Sequence, residues 1–271
     1  MKAKLVTICL LLGSAATAQP AQPTGAPPAR APRYIEATPY DFGDHAGWVS
    51  VFDGRTLDGW EGQASAWRVE DGAVVSSVDG ASAVPPVYLF WKGRDGGELA
   101  DFEFKTEIKL EGEKANSGVQ FRAMLLGKTE KPNSEWESFG YQADFDFTNV
   151  QTGALIECCS GPRRGPRPRP FRAAMGSAVR TAATADGTPA TIGSLGNRDG
   201  LGRAINAGGW NQLHIIARGH TLAYIINGQL MSVVIDDDPE RFLARGRLAI
   251  QLEGSGARRV AYRNMWLKTY N

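Results

Sequence analysis

The sequence is poor in the residues that zinc enzymes and cysteine or histidine hydrolases use. It contains three histidines and three cysteines in 271 residues, and none of them stands at zinc-ligand spacing. G-x-S-x-G, H-E-x-x-H and phosphate-loop motifs are also missing. These absences argue against the common serine hydrolase, zinc protease and nucleotide-binding signatures.

An excess of charge of either sign is also missing. The chain has 30 basic and 29 acidic side chains, for a net charge of +1, which gives no electrostatic argument for binding nucleic acid or an anionic membrane. Residues 161–172 (GPRRGPRPRPFR) are locally basic. We interpret them as a solvated, proline-stiffened loop, because the wider basic field of a nucleic-acid site is absent.

Long apolar runs are limited to Leu5–Leu12, which is too short to span a bilayer. Lys2 and Lys4 precede this run, and Ala16-Thr17-Ala18 follows it as an A-x-A cleavage site. Residues 1–18 are therefore predicted to be a secretory signal peptide, and the protein is predicted to be exported, periplasmic or secreted. Residues 19–45 read as a disordered Pro/Ala-rich tether and lead-in, and residues 46–271 as one domain.

Convincing amphipathic helices are missing too, whereas short strands with turn signals recur. Residues 101–110 (DFEFKTEIKL) alternate apolar and polar side chains, as a strand with one buried face does. Asp71-Gly72 and Asn227-Gly228 are strong hairpin signals. The pattern predicts a β-sandwich or barrel. Residues 160–207 have little periodicity and are predicted to be a long insertion on the binding side.

Polar residues recur within these strands, where a plain sandwich does not need them. Period-2 alternation puts Gln142 and Asp144 on one face of a strand and Gln251 and Glu253 on one face of another. The same reasoning places Gln120 and Arg122 opposite Val119 and Phe121, and pairs Glu157 with Leu155. We expect Arg122, Gln142, Asp144, Glu157 and Glu253 to cluster on one concave surface, although ordinary wet-face residues remain the alternative.

Several segments form a recognisable set when they are taken in order. They are GWVSVFDGRTLDGW (47–60), WRVEDGAVV (67–75), LFWKG (89–93), DFEFKTEIKL (101–110), NSGVQFR (116–122), GYQAD (140–144), GALIE (153–157), Trp210-Asn211, Asn227-Gly228, GRLAIQL (246–252) and Arg263-Asn264. In this order they resemble the 3-keto-disaccharide hydrolase family, over residues 46–269.

The resemblance implies an all-β, concanavalin-like jelly roll of two antiparallel sheets, with the ligand on a concave face. It also implies an enzyme that cleaves 3-keto glycosides or 3-keto disaccharides, by C2 proton abstraction, loss of the C1 substituent and hydration. A separate sugar 3-oxidoreductase would supply the keto sugar. A divalent metal acting as a Lewis acid is left open. The alternatives are a non-catalytic carbohydrate-binding jelly roll and a structural or adhesive domain.

Each candidate residue has a role that this chemistry would need. Glu157, Asp144 and Glu253 are the candidate catalytic residues, and Asp144 and Glu157 are also the candidate metal ligands. Relatives often have histidine where this chain has Glu253, so this glutamate would have to substitute for it. The candidate substrate-binding residues are Arg122, Gln142, Lys92, Trp91, Gln120 and Asn116. Asn116 to Gly118 are read as a turn that enters the strand, with Gly118 permitting close approach of a sugar.

Cys158 and Cys159 are adjacent and follow Glu157 directly. They do not suffice for zinc, and the sequence shows no residue that would activate a catalytic thiol. In an oxidising compartment they could form a vicinal disulfide; free, buried thiols are the alternative.

Overall fold

Strands make up most of the part of the chain that the structure describes. The computed structural model describes residues 35, 37–80, 86–93, 96–126, 134–159 and 171–270. The predicted signal peptide, most of the predicted tether and segment 160–170 lie outside these residues. Tyr40–Asn271 belong to one compact unit. No helix in the described part is long and apolar enough to cross a membrane.

The described strands are, in chain order, β1 (Val49–Ser50), β2 (Trp60–Gly62), β3 (Arg68–Glu70), β4 (Ala73–Val78), β5 (Val87–Trp91), β6 (Glu98–Leu99), β7 (Asp101–Glu111), β8 (Ala115–Leu125), β9 (Ser138–Asp146), β10 (Leu155–Cys159), β11 (Arg172–Ala173), β12 (Ser177–Arg180), β13 (Ala190–Ser194), β14 (Asn211–Arg218), β15 (Thr221–Ile226), β16 (Gln229–Ile235), β17 (Gly246–Gly254) and β18 (Arg258–Tyr270). The described helical segments are α1 (Arg198–Gly202) and the 3₁₀ turns Ala64–Ala66 and Ser134–Trp136.

These strands form two sheets. The ten-stranded sheet has the order β13-β12-β16-β15-β14-β7-β18-β4-β3, with β1 paired to β18. The eight-stranded sheet has the order β11-β10-β9-β8-β17-β5-β2, with β6 paired to β17. The described neighbours are antiparallel except for β12 and β16, which run parallel. One apolar core draws side chains from both sheets, so the predicted all-β, concanavalin-like sandwich is confirmed.

The local predictions on the strands are confirmed where alternation was strongest. Phe102, Phe104 and Ile108 of β7 are fully buried on the core side. Asp71-Gly72 joins β3 to β4, and Asn227-Gly228 joins β15 to β16. Residues in both turns have positive φ, as a two-residue hairpin of this type requires.

Residues 171–207, the described part of the predicted insertion, are more regular than their sequence pattern suggests. This stretch contains β11, β12, β13 and α1. Strands β12 and β13 extend the edge of the ten-stranded sheet through β16, and β11 pairs with β10. Period-2 alternation missed these strands because each has five residues or fewer, too short for a repeating pattern.

The segment Tyr40–Trp48 lies on the outer face of the ten-stranded sheet. It includes the last six residues of the predicted 19–45 stretch, and the name lead-in is used for Tyr40–Trp48 from here on. Nζ of Lys105 donates to the backbone carbonyls of Asp41, Phe42 and Asp44, at 3.0–3.4 Å. The ammonium also lies 4.6 Å from the centroid of the Trp48 ring. Lys105 was predicted to be on the wet face of β7, and it is buried because the lead-in covers it.

Candidate functional site

The outer face of the eight-stranded sheet, which points away from the ten-stranded sheet, carries a row of polar side chains. Asp144 on β9 pairs with Gly118 on β8, which pairs with Gln251 on β17, which pairs with Tyr88 on β5. Directly paired residues project from the same face of a sheet. Alternation then puts Gln142 of β9 and Glu253 of β17 on that face too. The predictions that Gln142 shares a face with Asp144, and Gln251 with Glu253, are therefore confirmed.

Hydrogen bonds connect this row across the sheet. Nε2 of Gln142 donates to Oε1 of Gln251 at 3.0 Å and, more weakly, to Oδ1 of Asp144 at 3.5 Å. Nε2 of Gln251 donates to Oε2 of Glu253 at 3.0 Å and to the hydroxyl of Tyr88 at 3.1 Å. Two carboxyl groups are thus linked through two amide side chains, which we call the amide bridge (Gln142 and Gln251).

Gly118 makes this bridge possible. A Cβ atom on Gly118 would lie 3.1 Å from Nε2 and 3.2 Å from Cγ of Gln142, and 2.6 Å from the carbonyl oxygen of Ala143. The glutamine side chain therefore crosses the position that a side chain on β8 would fill. Two predictions for this stretch are wrong. Asn116 to Gly118 lie inside β8 rather than in a turn, and Gln142 occupies the space expected for a sugar at Gly118.

Asp144 is the most perturbed carboxyl group of the row. Burial raises the pKa of Asp144 to about 7, with smaller contributions from the charges of Asp146 and Glu253. Its Oδ1 accepts from its neighbour's backbone N–H, that of Phe145, at 3.1 Å, in addition to Gln142. Within the described residues its Oδ2 has no hydrogen-bond partner. Asp144 can therefore exchange a proton near neutral pH.

Glu253 is the second carboxyl group on this face. Burial raises the pKa of Glu253, against the opposing effects of the hydrogen bond from Gln251 and the charge of Arg258. Both carboxyls thus hold their protons more tightly than exposed carboxyls do. The perturbed pair, on one face and bridged by amides, is the arrangement that general acid–base catalysis requires.

Asp146, on the same strand as Asp144, has a structural role. Oδ1 of Asp146 accepts from the backbone N–H groups of Gln151 and Thr152, and Oδ2 from that of Val150. Burial opposes ionisation of Asp146, but these bonds and one from Thr148 outweigh it and lower its pKa. Asp146 thus remains charged and shapes the turn between β9 and β10.

The predicted position of Arg122 is wrong. A β-bulge between Phe121 and Met124 breaks the alternation of β8, and Arg122 has a φ of 47°. Its guanidinium group is fully buried and donates to the carbonyl oxygens of Ala100, Gly219 and Leu243 and to Asp101. Arg122 therefore joins loops at one end of the sandwich instead of facing the row.

The predicted position of Glu157 on this surface is also wrong. Glu157 pairs with Tyr141, and Leu155 with Ala143, so Glu157 projects from the inner face of the eight-stranded sheet. Leu155 and Glu157 do share a face, as predicted, but it is the face opposite to that of Asp144. The neighbouring Cys158 is disulfide-bonded.

The other predicted binding residues are divided between the two faces. Gln120 pairs with Gln142 and lies on the outer face, where Ser138 donates to its side-chain oxygen. Asn116 pairs with Glu253 there, and its buried Oδ1 has no partner among the described residues. Trp91 packs on the apolar core, and the predicted stacking role finds no support in that position. Lys92 is exposed just after β5.

Two aromatic residues of this face were missed by the sequence analysis. Tyr88 and Phe90 of β5 lie on the outer face with Trp136, whose ring stacks on Phe90 at 6.1 Å between centroids. The segment VYLFW reads as a continuous apolar strand. Its alternation would have placed Tyr88 opposite Leu89, but nothing in the sequence links this strand to Gln251.

The two predicted metal ligands do not fit one ion. Asp144 projects from the outer face of the sheet and Glu157 from the inner face. No group of three or more His, Cys, Asp or Glu side chains in the described residues could hold a metal ion.

The histidines lie away from the row. His214 contacts Glu103 through Nε2 and Tyr40 through Nδ1, so both of its ring nitrogens have partners. His45 stacks on Trp266, and His220 stacks on Phe242.

Residues 47–268 match the family described as the 3-keto-alpha-glucoside-1,2-lyase-like domain. The chain belongs to this family. The family match confirms the resemblance found in the sequence.

One curated relative is a 3-keto-disaccharide hydrolase from Bacteroides thetaiotaomicron, which is 27% identical over 103 residues. That match covers 34% of this chain and 33% of the relative, so the chain spans about a third of the relative's length.

Two solved structures show similarity at low sequence identity. One is a "putative glycosyl hydrolase" from Parabacteroides distasonis, with 15% identity and a TM-score of 0.51 over 83% of this chain and 95% of that one. The other is a Bacillus subtilis protein with a galectin-like fold, with 10% identity and a TM-score of 0.46 over 83% and 90% of the two chains. The similarity to the Parabacteroides distasonis structure supports the fold alone.

Proposed function

We propose that this chain is an exported enzyme that cleaves 3-keto glycosides or 3-keto disaccharides by elimination and hydration. The observation that carries the proposal is the pair of carboxyls with raised pKa, Asp144 and Glu253, on one face and linked by the amide bridge. Sugar binding needs carboxyls only as hydrogen-bond acceptors, whereas proton transfer needs carboxyls whose pKa is raised toward the working pH. The family membership supports the substrate class.

In the proposed reaction, Asp144 acts as the general base. A carbonyl at C3 acidifies the C2 hydrogen, and the Asp144 carboxylate takes that proton while the C2–H electron pair forms an enolate on the C3 oxygen. A pKa of about 7 leaves roughly half of the Asp144 groups ionised at neutral pH, and such a base is a stronger proton acceptor than an ordinary aspartate.

Glu253 acts as the general acid. The enolate electrons form the C1=C2 double bond, the C1–O bond breaks, and the leaving oxygen takes the Glu253 proton. Water then adds to C1 and gives its proton to Glu253, while Asp144 returns a proton to C2. Both carboxyls end in their starting states, and the products are the 3-keto sugar and the released alcohol.

The assay is incubation of the purified protein with 3-keto-trehalose and with a 3-keto glucoside, with and without a chelator. We expect release of the C1 substituent. Asp144→Asn should lower turnover by about 10²–10⁴-fold, the usual contribution of a general base. Glu157→Gln is the matched control, because this buried carboxyl lies on the inner face, and it should keep turnover within a few-fold.

Two results would count against the enzyme. Binding of the 3-keto glycoside without release would favour a carbohydrate-binding module. Equal losses in the folded Asp144→Asn and Glu157→Gln variants would remove the assigned role of the outer face.

The rate should also depend on pH. Because the base must be ionised, kcat/KM should rise with pH up to about 7 in the wild type. A rate that is level from pH 5 to pH 8 would contradict a base with this pKa.

Export is a separate part of the proposal, supported by Lys2, Lys4, the apolar run and the A-x-A site in residues 1–18. The full-length chain, expressed in a bacterium with an outer membrane, should be found outside the cytoplasm with a mature N-terminus at Gln19. Retention of Met1 in a cytoplasmic fraction would refute it.

A further inference from the structure

Elimination from a 3-keto sugar places negative charge on the C3 oxygen. Lowering that barrier requires a hydrogen-bond donor aimed at this oxygen. Two of the predicted cationic candidates do not lie in the row: Arg122 is bound to loop carbonyls, and Lys92 is exposed beyond the end of β5. The donor must therefore be sought among the neutral groups of the outer face.

The amide bridge has a fixed direction. Oε1 of Gln251 accepts from Gln142, so the amide nitrogen of Gln251 points the other way. Its two hydrogens go to Oε2 of Glu253 and to the oxygen of Tyr88. Reversing both amides together would turn the oxygen of Gln142 toward Oδ1 of Asp144, which already accepts from the N–H of Phe145, so two acceptors would meet there.

Tyr88 is consequently an acceptor in its bond with Gln251, and its own hydrogen is left to donate. A phenol has one O–H donor and can accept as well. No acceptor for the Tyr88 hydrogen is found in the described residues. Tyr88 is only 3% exposed, and a buried donor without a partner is costly to maintain. Burial and the charge of Glu253 raise the pKa of Tyr88, which keeps the hydrogen in place.

We propose that Tyr88 is a catalytic residue whose hydroxyl donates a hydrogen bond to the C3 oxygen of the 3-keto sugar as the enolate forms. This role rests on the proposed function and adds a group that the predicted site did not contain. Tyr88 stands in the same lateral row as Asp144, three strands away, and the amide bridge spans the sheet between them.

The test compares Tyr88→Phe with Tyr224→Phe. Tyr88→Phe removes only the hydroxyl and keeps the ring that packs against Phe90. Tyr224 is the matched control, because it is a fully buried core tyrosine whose hydroxyl has no partner among the described residues. Melting temperatures of both variants check that the fold is retained.

Two reactions are followed for each protein. The first is release of the C1 substituent from a 3-keto glucoside. The second is exchange of the C2 hydrogen for deuterium in 3-keto-1,5-anhydroglucitol, which has no C1 substituent to expel and so reports enolate formation alone. We expect Tyr88→Phe to slow both reactions by about 10²–10³-fold, the usual effect of losing one oxyanion donor, and Tyr224→Phe to slow neither.

The outcomes separate the two proposals. A wild-type protein that releases nothing and exchanges nothing refutes the proposed function itself. A wild-type protein that is active, with Tyr88→Phe within threefold of it in both reactions, refutes the role of Tyr88 alone. Slowed release with unchanged exchange also refutes it, because Tyr88 would then act only by positioning Gln251 and Glu253.

Discussion

Nε2 of Gln142 lies 3.0 Å from Oε1 of Gln251, although strand β8 runs between the two strands that carry them. Residues on strands two apart are separated by about 10 Å between backbones. The contact is possible because Gly118, between them, has no side chain. The two carboxyls of the candidate site are therefore connected only while this position stays empty.

Gly118→Ala should damage both the fold and the site. The added methyl group would lie 2.6 Å from the carbonyl oxygen of Ala143, so the backbone or Gln142 must shift. We expect a loss of about 1–3 kcal/mol of unfolding free energy, the usual cost of overpacking, together with a fall in turnover. Urea denaturation measures the first effect. Gly202→Ala is the control, because nothing lies within 4 Å of a Cβ atom at that position. Wild-type stability and turnover in Gly118→Ala would show that position 118 is not crowded.

Asp144 should make the protein less stable as pH rises from about 4 to about 7. Its pKa is near 4 in the unfolded chain and about 7 in the folded protein, so the folded state binds more protons in this window. The favourable contribution is complete below pH 4 and is lost as pH rises through 7. Asp144→Asn lacks this loss. Its melting temperature at pH 7.5 minus its melting temperature at pH 4.5 should therefore be more positive than the same difference in the wild type. An unchanged difference would mean that Asp144 titrates normally.

Lys105 should hold the lead-in on the ten-stranded sheet without affecting turnover. Lys105→Met keeps most of the aliphatic chain but removes the three hydrogen bonds to lead-in carbonyls. We expect a loss of about 1–3 kcal/mol of stability and faster proteolysis within residues 40–48. Lys109→Met, on the same strand and half-exposed, is the matched control. Equal protease resistance in both variants would show that the ammonium does not anchor this segment.

Arg122 should act in stability rather than in sugar binding. Arg122→Met would leave the carbonyls of Ala100, Gly219 and Leu243 without their buried donor, at a cost on the order of 3 kcal/mol. At a temperature where the variant remains folded, its KM should equal that of the wild type. A stable variant with a raised KM would restore the substrate-binding role that the sequence suggested.

The sequence was a good guide where alternation is unbroken. Gln142 and Asp144 on β9, and Gln251 and Glu253 on β17, lie on the same face because both strands keep period 2 through the site. The predicted face of Arg122 was wrong because a β-bulge inserts an extra residue into β8. The segment NSGVQFR contains no sequence signal for that bulge.

The predicted position of Glu157 was wrong for a different reason. Its own strand was read correctly, since it does share a face with Leu155. Which face that is depends on the register between β9 and β10, and Leu155 pairs with Ala143 rather than with Gln142. A shift of one residue would have brought Glu157 to the outer face. The register between two strands cannot be predicted from the sequence of either strand alone. The contact between Tyr88 and Gln251 could not be predicted for the same reason.

The lead-in makes contacts with residues that are far away in the sequence. Tyr40 contacts His214, 174 residues further along the chain, and His45 stacks on Trp266, near the other end of the sequence. Both partners lie on strands at the centre of the ten-stranded sheet, so their surface does not exist until β7, β14 and β18 have come together. Docking of this segment therefore closes loops of more than 170 residues, which carries a high entropic cost, and we expect it to form late in folding.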